Sequence, residues 1–309
     1  MGWRVAGGFT LSTMRILDLH QDLIHYFYRH GDDGILQKYP DYGIGSFVMA
    51  IFPFRGYYES SNVEEPFRFA TRSIENIYRI ADRYGWRVAL RGDEVGERSI
   101  IVGLEGGYGL EETNDLRTLW RLGLRLLGLV WNKDNPICAS WKAQKDYGLT
   151  DFGHEIVKEA LERGIVIDLA HASDGTFFDV VSSFEGGIMV SHTGLRHMKD
   201  LKRNITVRMV EEIAGKGGIV GIAFAKLFLG EVSMEKAVAE ISALVKDFPD
   251  TIAVGSDFFG FGKSMEIEGM GGVEDFPAIY RAFARHLDEE LLDKFFWRNA
   301  AEFFRRFMG

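Results

Sequence analysis

Short apolar runs alternate with longer amphipathic stretches along most of the chain. Eight of these runs are rich in β-branched and other apolar residues, as is typical of strands that are buried on both faces. They begin at Arg15, Ser46, Ser99, Leu124, Gly164, Gly187, Gly218 and Thr251, and read RILDLH, SFVMAIF, SIIVGLE, LRLLGLVW, GIVIDLAH, GIMVSH, GIVGIAF and TIAVGSD. The pattern therefore predicts eight strands.

The stretches between the runs place their apolar residues at helical spacing. Predicted helices include FRFATRSIENIYRIADRYG, DFGHEIVKEALERG, TVRMVEEIAGKGG and SMEKAVAEISALVKDF, and several end at a glycine suited to a helix C-cap. Two more, FPAIYRAFARHL and DEELLDKFFWRNAAEFFRRF, follow the eighth run. Eight alternations without a Pro-rich linker predict an α/β fold, a single (β/α)8 TIM barrel over residues 14–309, with C-terminal helices. Residues 1–13 are expected to be a loose, disordered extension.

Composition narrows the class of protein. The chain has 309 residues, of which 46% are apolar and 26% charged, as in ordinary globular enzymes. Its single cysteine, Cys138, cannot form an internal disulfide, and no apolar stretch reaches the roughly 18 residues needed to span a bilayer. The net charge of −9 argues against nucleic acid or an anionic membrane as the partner. These observations favour a cytoplasmic protein.

Polar side chains close five of the eight runs. They are His20 and Asp22 after the first run, Glu105, His171, His192 and Asp257. In a barrel the C-terminal ends of the strands meet at the catalytic rim, so three histidines and three carboxylates are expected to converge. One strand-terminal histidine alone is more often a core residue, but five coincidences at one rim favour a metal site.

The ligand types indicate the metal. Imidazole and carboxylate ligands without thiolate suit Zn²⁺ or a similar divalent ion. Six ligands are too many for one tetrahedral ion that keeps an open position, so two ions sharing a carboxylate fit better. The charge also balances, because Asp22, Glu105, Asp257 and a bridging hydroxide offset two divalent ions.

Other titratable residues receive different interpretations. Asp18 and Asp168 lie within predicted strands and are expected to orient an imidazole or to bond backbone amides. His25, His154 and His197 are interpreted as structural or exposed. Two further His-x-Asp pairs, His30/Asp32 and His286/Asp288, do not end a strand, and Asp288 is expected to cap the N-terminus of a helix.

Several segments, taken in order, resemble the membrane (renal) dipeptidases of peptidase family M19, a binuclear zinc family similar to the amidohydrolase barrels. They are DLHQDL, GLEGG, GLTDFGHEIVKEALERGIVIDLAHAS, VSHTGLRHMKDLKRN, VGSDF and GGVEDFPAIY, and they run from about residue 14 to the C-terminus. The resemblance implies that His20 and Asp22 hold one zinc ion, that His171 and His192 hold the other, and that Glu105 bridges both.

The resemblance also assigns residues that act on substrate. Asp257 matches the family's acid/base, and Arg203 matches the arginine that binds the substrate carboxylate, a task suited to a guanidinium fork. Trp131 stands where the family has a histidine that helps to bind the tetrahedral intermediate, a variation similar to that of some bacterial or archaeal members. Its single indole N–H replaces that histidine only in part, but it remains a candidate substrate-binding residue. Phe259 replaces an aspartate of the family and is expected to make the rim more apolar.

The implied function is a two-zinc dipeptidase that hydrolyses the peptide bond of short dipeptides by attack of a metal-bridged hydroxide. Dipeptides with a D-residue at the C-terminal position are included. Trp131 and Phe259 leave open a metal-dependent amidohydrolase acting on N-acyl amino acids or cyclic amides. A third alternative is a non-catalytic metal-binding homologue. The expected partner is a small dipeptide, with neither nucleic acid nor membrane, and the resemblance allows a homodimer.

Overall fold

The computed structural model describes residues 14–31, 34–53 and 65–309. The predicted extension, residues 1–13, and Asp32 lie outside these described residues. None of the described helices is long and apolar enough to cross a lipid bilayer.

The described residues contain a parallel sheet whose strands follow the predicted runs. The strands are β1 Ile16–Gln21, β2 Ile44–Ile51, β3 Arg87–Val88, β4 Ser99–Glu105, β5 Leu124–Gly128, β6 Val166–Asp168, β7 Ile188–Thr193, β8 Ile219–Ile222 and β9 Ile252–Val254. Eight of them pair in the order β1-β2-β4-β5-β6-β7-β8-β9. The extra strand, β3, is two residues long, pairs only with β4 and was not predicted, because it lacks an apolar run.

The sheet closes on itself where the last strand meets the first. The amide of Asp257, beyond β9, donates to His20 O at 3.1 Å, and the amide of Asp22 donates to Phe258 O at 3.0 Å. Asp18 adds a side-chain link, because its carboxylate accepts bonds from the amide and the hydroxyl of Ser256 at 2.8 and 2.5 Å. The predicted α/β barrel is therefore confirmed.

Helices connect successive strands and surround the barrel. The longer ones are α1 Leu23–His30, α2 Pro66–Tyr84, α3 Thr113–Leu122, α4 Asp151–Glu162, α5 Asp174–Ser183, α6 Val207–Gly215, α8 Met234–Asp247, α9 Phe276–Phe283 and α11 Asn299–Phe307, with the short α7 Lys226–Leu229 and α10 Glu289–Asp293. Helix α2 ends as predicted at Gly85, whose φ of 67° completes a left-handed cap. Asp288 caps α10, also as predicted, by accepting from the amide of Leu291 at 2.9 Å. The last predicted helix is interrupted by a π turn at Lys294–Arg298.

Two apolar cores hold the barrel together. The larger lies between the strands and the surrounding helices. The smaller fills the barrel interior with inward-facing strand residues such as Leu17, Ile101 and Val166, and it continues into Trp297 and Phe304 of the C-terminal segment. This segment therefore covers one opening of the barrel, which leaves the rim at the C-terminal ends of the strands for chemistry.

Candidate metal centre

The structure brings the six predicted rim residues together. Glu105, the last residue of β4, lies at the middle of the group. Its Oε1 is 2.8 Å from His171 Nε2 and 3.5 Å from His192 Nε2, and its Oε2 is 3.7 Å from His20 Nε2. The two carboxylate oxygens thus face two different sets of imidazoles.

A second group of ligand atoms surrounds His20. Its Nε2 is 3.9 Å from Asp22 Oδ1 and 3.8 Å from Asp257 Oδ1, while Asp257 Oδ2 is 4.0 Å from His192 Nε2. Within the described part of the chain, both ring nitrogens of His20 and Oδ1 of Asp22 are buried without a hydrogen-bond partner. Buried polar atoms without partners are costly, which indicates that a ligand outside the chain completes them.

Hydrogen bonds determine which nitrogen of His171 carries its proton. Asn132 Oδ1 lies 3.1 Å from His171 Nδ1 and also accepts from the indole Nε1 of Trp141 at 2.6 Å. Because an indole N–H can only donate, the Asn132 atom must be the amide oxygen, and Nδ1 of His171 must therefore be protonated. The lone pair of His171 is consequently on Nε2, facing Glu105. Asn132 was not predicted from the sequence, although it directly follows Trp131.

A parallel argument applies to His192. The hydroxyl of Ser191 donates to Asp168 Oδ2 at 2.5 Å, so its oxygen accepts from His192 Nδ1 at 2.8 Å. Asp168 also accepts from the amides of Ala170 and Ser191 at 2.9 and 2.8 Å. Asp168 therefore bonds backbone amides, as predicted, and orients the imidazole of His192 through Ser191, which the sequence analysis missed.

These protonation states leave a cluster of facing lone pairs. His171 Nε2 and His192 Nε2 are 3.2 Å apart, and neither carries a proton if both Nδ1 atoms do. A carboxylate oxygen of Glu105 faces both of them. Lone pairs so close repel one another unless a cation lies between them, so the residues present fit a bound metal ion.

The electrostatics lead to the same conclusion. Burial lowers the pKa of His20 to about 3, so its imidazole is in the neutral form that binds metals. Burial raises the pKa of Asp22 to about 7. Burial, followed by the charge of Asp22, raises the pKa of Glu105 and Asp257 well above the usual range. Without cations the buried carboxylates resist ionisation, and divalent ions would restore their charge.

The backbone is strained at two of these positions. His171 and Asp257 have φ angles of 65° and 61°, in the left-handed region that residues with a Cβ adopt at a cost of about 1–3 kcal/mol. Gly260 passes so close that an added Cβ would lie 2.5 Å from Asp22 Oδ2 and 2.7 Å from Asp257 Oδ1. Strained backbone and close approach of this kind are typical of functional sites.

We refer to the six rim residues as the metal-ligand cluster, because they fit a bound metal ion. A cleft of about 160 Å³ is lined by five of them, Asp22, Glu105, His171, His192 and Asp257. Arg203 lines the cleft and is buried. Its Nη2 donates to His192 O at 2.9 Å, and its Nε has no hydrogen-bond partner among the described residues. Trp131 also lines the cleft, with its ring 4.2 Å from that of Phe52. Both residues are thus positioned to contact a ligand bound above the cluster.

Of the remaining histidines and Phe259, only His25 lines the cleft. His154 is exposed, and His197 is exposed with Glu240 at 3.5 Å, as interpreted from the sequence. His25 is buried and lines the cleft, where its Nε2 accepts from the amide of Phe52 at 2.8 Å. Phe259 does not line the cleft, and its ring packs 5.1 Å from that of Tyr26.

Comparisons with known proteins agree with this architecture. The family model described as membrane dipeptidase (peptidase family M19) matches residues 68–307. A Klebsiella pneumoniae protein of the pqqA 5′ region is 26% identical over 216 residues, which cover 65% of this chain and 79% of that protein. Human dipeptidase 3 is 27% identical over 257 residues, or 77% of this chain, and the match spans about half (52%) of the human protein.

Solved structures share the fold over almost the whole chain. A metallopeptidase from Rhodobacter sphaeroides, bound to a phosphinate mimic of the dipeptide L-Ala-D-Ala, superposes with a TM-score of 0.84. The alignment covers 96% of this chain and 99% of that chain at 22% identity. Similarity at this level of identity shows a common barrel.

Proposed function

Because the chain belongs to the membrane dipeptidase family, peptidase family M19, we propose that it is a dipeptidase that uses two divalent metal ions, with Zn²⁺ the preferred metal. One ion would be held by His20 and Asp22 and the other by His171 and His192. Glu105 would contact both. The observation that carries the proposal is the position of Glu105, whose two oxygens face His20 on one side and the other two imidazoles on the other side.

When bound to these residues, the ions would supply the Lewis acidity that polarises a peptide carbonyl and lowers the pKa of a water molecule. Asp257 acts as the proton acceptor and donor. Its Oδ1 and Oδ2 lie 3.8 Å from His20 Nε2 and 4.0 Å from His192 Nε2, so one carboxylate reaches both halves of the cluster. From there it accepts a proton from the attacking water and returns it to the leaving nitrogen.

Arg203 binds the substrate carboxylate. Its guanidinium is buried and has an Nε without a partner among the described residues, so an incoming anion would satisfy an otherwise costly N–H group. Burial also lowers the pKa of Arg203, to about 10, which still leaves it charged at neutral pH. An anchored carboxylate limits substrates to short peptides.

The experiment combines metal analysis with hydrolysis of L,L- and L,D-dipeptides whose side chains are uncharged. We expect two metal ions per chain, loss of hydrolysis on chelation, and recovery when metal is restored. Asp257→Asn should retain its metal while turnover falls by about 10²- to 10⁴-fold. Asp41→Asn, at an exposed position of the 3-10 helix Gly34–Tyr42 and outside the cleft lining, serves as the matched control and should keep full activity. Unchanged turnover in Asp257→Asn would contradict the assigned role, and metal-free protein with full activity would contradict the whole proposal.

A second candidate is hydrolysis of N-acyl amino acids or cyclic amides. The packing of Phe52 on Trp131 favours it, because this aromatic wall suits an apolar acyl group. Matched N-acyl and dipeptide substrates compared on the same enzyme distinguish the two. Exclusive hydrolysis of ordinary L,L-dipeptides would count against this candidate.

A further inference from the structure

Among the described residues, three acids and three bases line the cleft. Among the described residues, the carboxylates of the lining are Asp22, Glu105 and Asp257, and the permanently charged bases are Arg29, Lys142 and Arg203. All three carboxylates face the imidazoles of the metal-ligand cluster. Two bound divalent ions would neutralise these carboxylates, so no described carboxylate of the lining would be left to bind a basic substrate. The cations of the lining would still be available to an acidic substrate.

Of the three cations of the lining, Lys142 is the one that interacts least with other described residues. Within the described ranges, no carboxylate lies within ion-pair distance of its ammonium group, and its Nζ lies 4.8 Å from the centre of the Trp141 ring. Its side chain is exposed at the cleft, in contrast to the buried Arg203. An ammonium held over an aromatic face and without an acidic partner is available to an anionic ligand.

The backbone that carries Lys142 is tied to the metal-ligand cluster. The amide of Trp141 donates to His171 O at 2.9 Å, and its indole donates to Asn132, which bonds the imidazole of His171. The amide of Lys142 donates to Ser140 Oγ at 3.2 Å. Lys142 is therefore presented at a defined place beside the cluster.

Resting on the proposed dipeptidase function, we infer that Lys142 is a specificity residue that binds a second substrate carboxylate. Arg203 takes the terminal carboxylate, and Lys142 takes the acidic side chain of an Asp- or Glu-containing dipeptide. The preferred substrates are then dipeptides with two carboxylates. A charge-assisted contact of this kind corresponds to a preference of about tenfold in kcat/KM.

The test compares substrates of equal shape and different charge. Ala-Glu against Ala-Gln, and Glu-Ala against Gln-Ala, are each offered as L,L- and L,D-dipeptides, and the readout is the ratio of the two kcat/KM values. We expect the wild type to prefer Glu over Gln by about tenfold in at least one pair, mainly through a lower KM, with a smaller preference at high salt. Lys142→Met should bring this ratio close to one, and Lys142→Glu should invert it.

Lys145 provides the matched control. It is an exposed lysine in the same loop and is not part of the cleft lining. Lys145→Met should therefore keep both the activity and the preference of the wild type. Equal rates for Glu and Gln substrates in the wild type, or a preference that survives in Lys142→Met, would overturn the inference while leaving the dipeptidase proposal in place. Absence of hydrolysis of every dipeptide, charged or neutral, would overturn both.

Discussion

Removing the hydroxyl of Ser191 should weaken metal binding, although this hydroxyl is not one of the proposed metal ligands. This hydroxyl bridges Asp168 Oδ2 and His192 Nδ1 at 2.5 and 2.8 Å. In Ser191→Ala the imidazole loses the partner that keeps its proton on Nδ1, and Asp168 keeps only its two backbone amides. Loss of such an outer partner of a metal-binding histidine typically costs 10- to 100-fold in metal affinity, or about 1.4–2.7 kcal/mol.

The same substitution should also destabilise the metal-free fold. A buried N–H and a buried carboxylate oxygen each lose a hydrogen bond, which corresponds to about 1–3 kcal/mol in the free energy of unfolding. Urea unfolding of the metal-free protein measures this loss, and competition against a chelator measures metal affinity. The two measurements separate the general cost of a lost hydroxyl from its effect on the imidazole.

Ser46→Ala is the matched control. Ser46 is also a buried strand serine, and its hydroxyl bonds Ser99 O at 3.1 Å and Ser99 Oγ at 2.7 Å. We expect a similar loss of stability in this variant but unchanged metal affinity. If Ser191→Ala bound metal as tightly as the wild type, or if both variants weakened binding equally, Ser191 would not orient His192 in the way that the structure indicates.

Three further predictions concern the cluster and the fold. Gly260→Ala places a Cβ 2.5 Å from Asp22 Oδ2 and 2.7 Å from Asp257 Oδ1, so metal titration should show affinity reduced by at least about tenfold; Gly262→Ala, which meets nothing within 4 Å, should bind metal normally. Chelation should lower the melting temperature, because ions that bind only the folded state stabilise it, and an unchanged melting curve would argue against bound metal. Bonding from Arg117 lowers the pKa of Glu159 from about 4.5 to about 2, so this carboxylate stabilises the fold above pH 4.5 and loses its effect as the pH falls towards 2. The urea midpoint of Glu159→Gln should thus be lower than that of the wild type at pH 7, and the difference should close over this acidic range; a constant difference would contradict the ion-pair explanation.

The eight barrel strands were predictable because strands buried on both faces need continuous apolar runs. Helix ends were predictable where a cap has a local chemical cause, as at Gly85 and Asp288. The strand β3 was missed because its two residues, Arg87 and Val88, are partly exposed and stabilised by pairing with β4 instead of by an apolar run. The π turn that divides the C-terminal helix likewise has no signal in the helical spacing.

The sequence by itself determined the rim residues. In a closed parallel barrel, a polar side chain at the C-terminal end of an apolar strand lies at the rim formed by those strand ends. His20, Glu105 and His192 are far apart along the chain, but strand direction places them at the same opening. The carboxylates and imidazoles also determined the chemistry of the site, since their ligand properties do not depend on which neighbours they meet.

Only the tertiary structure decided how these ligands are oriented and what surrounds them. Asn132 bonds His171 across 39 positions in the sequence. Ser191 accepts from His192 because its own hydroxyl donates to Asp168 of the adjacent strand. Lys142 lies at the cleft beside Trp141, whose amide and indole bond His171 and Asn132. Hydrogen bonds act over about 3 Å and need particular angles, so their partners are set by the packing of strands and loops and not by residue order.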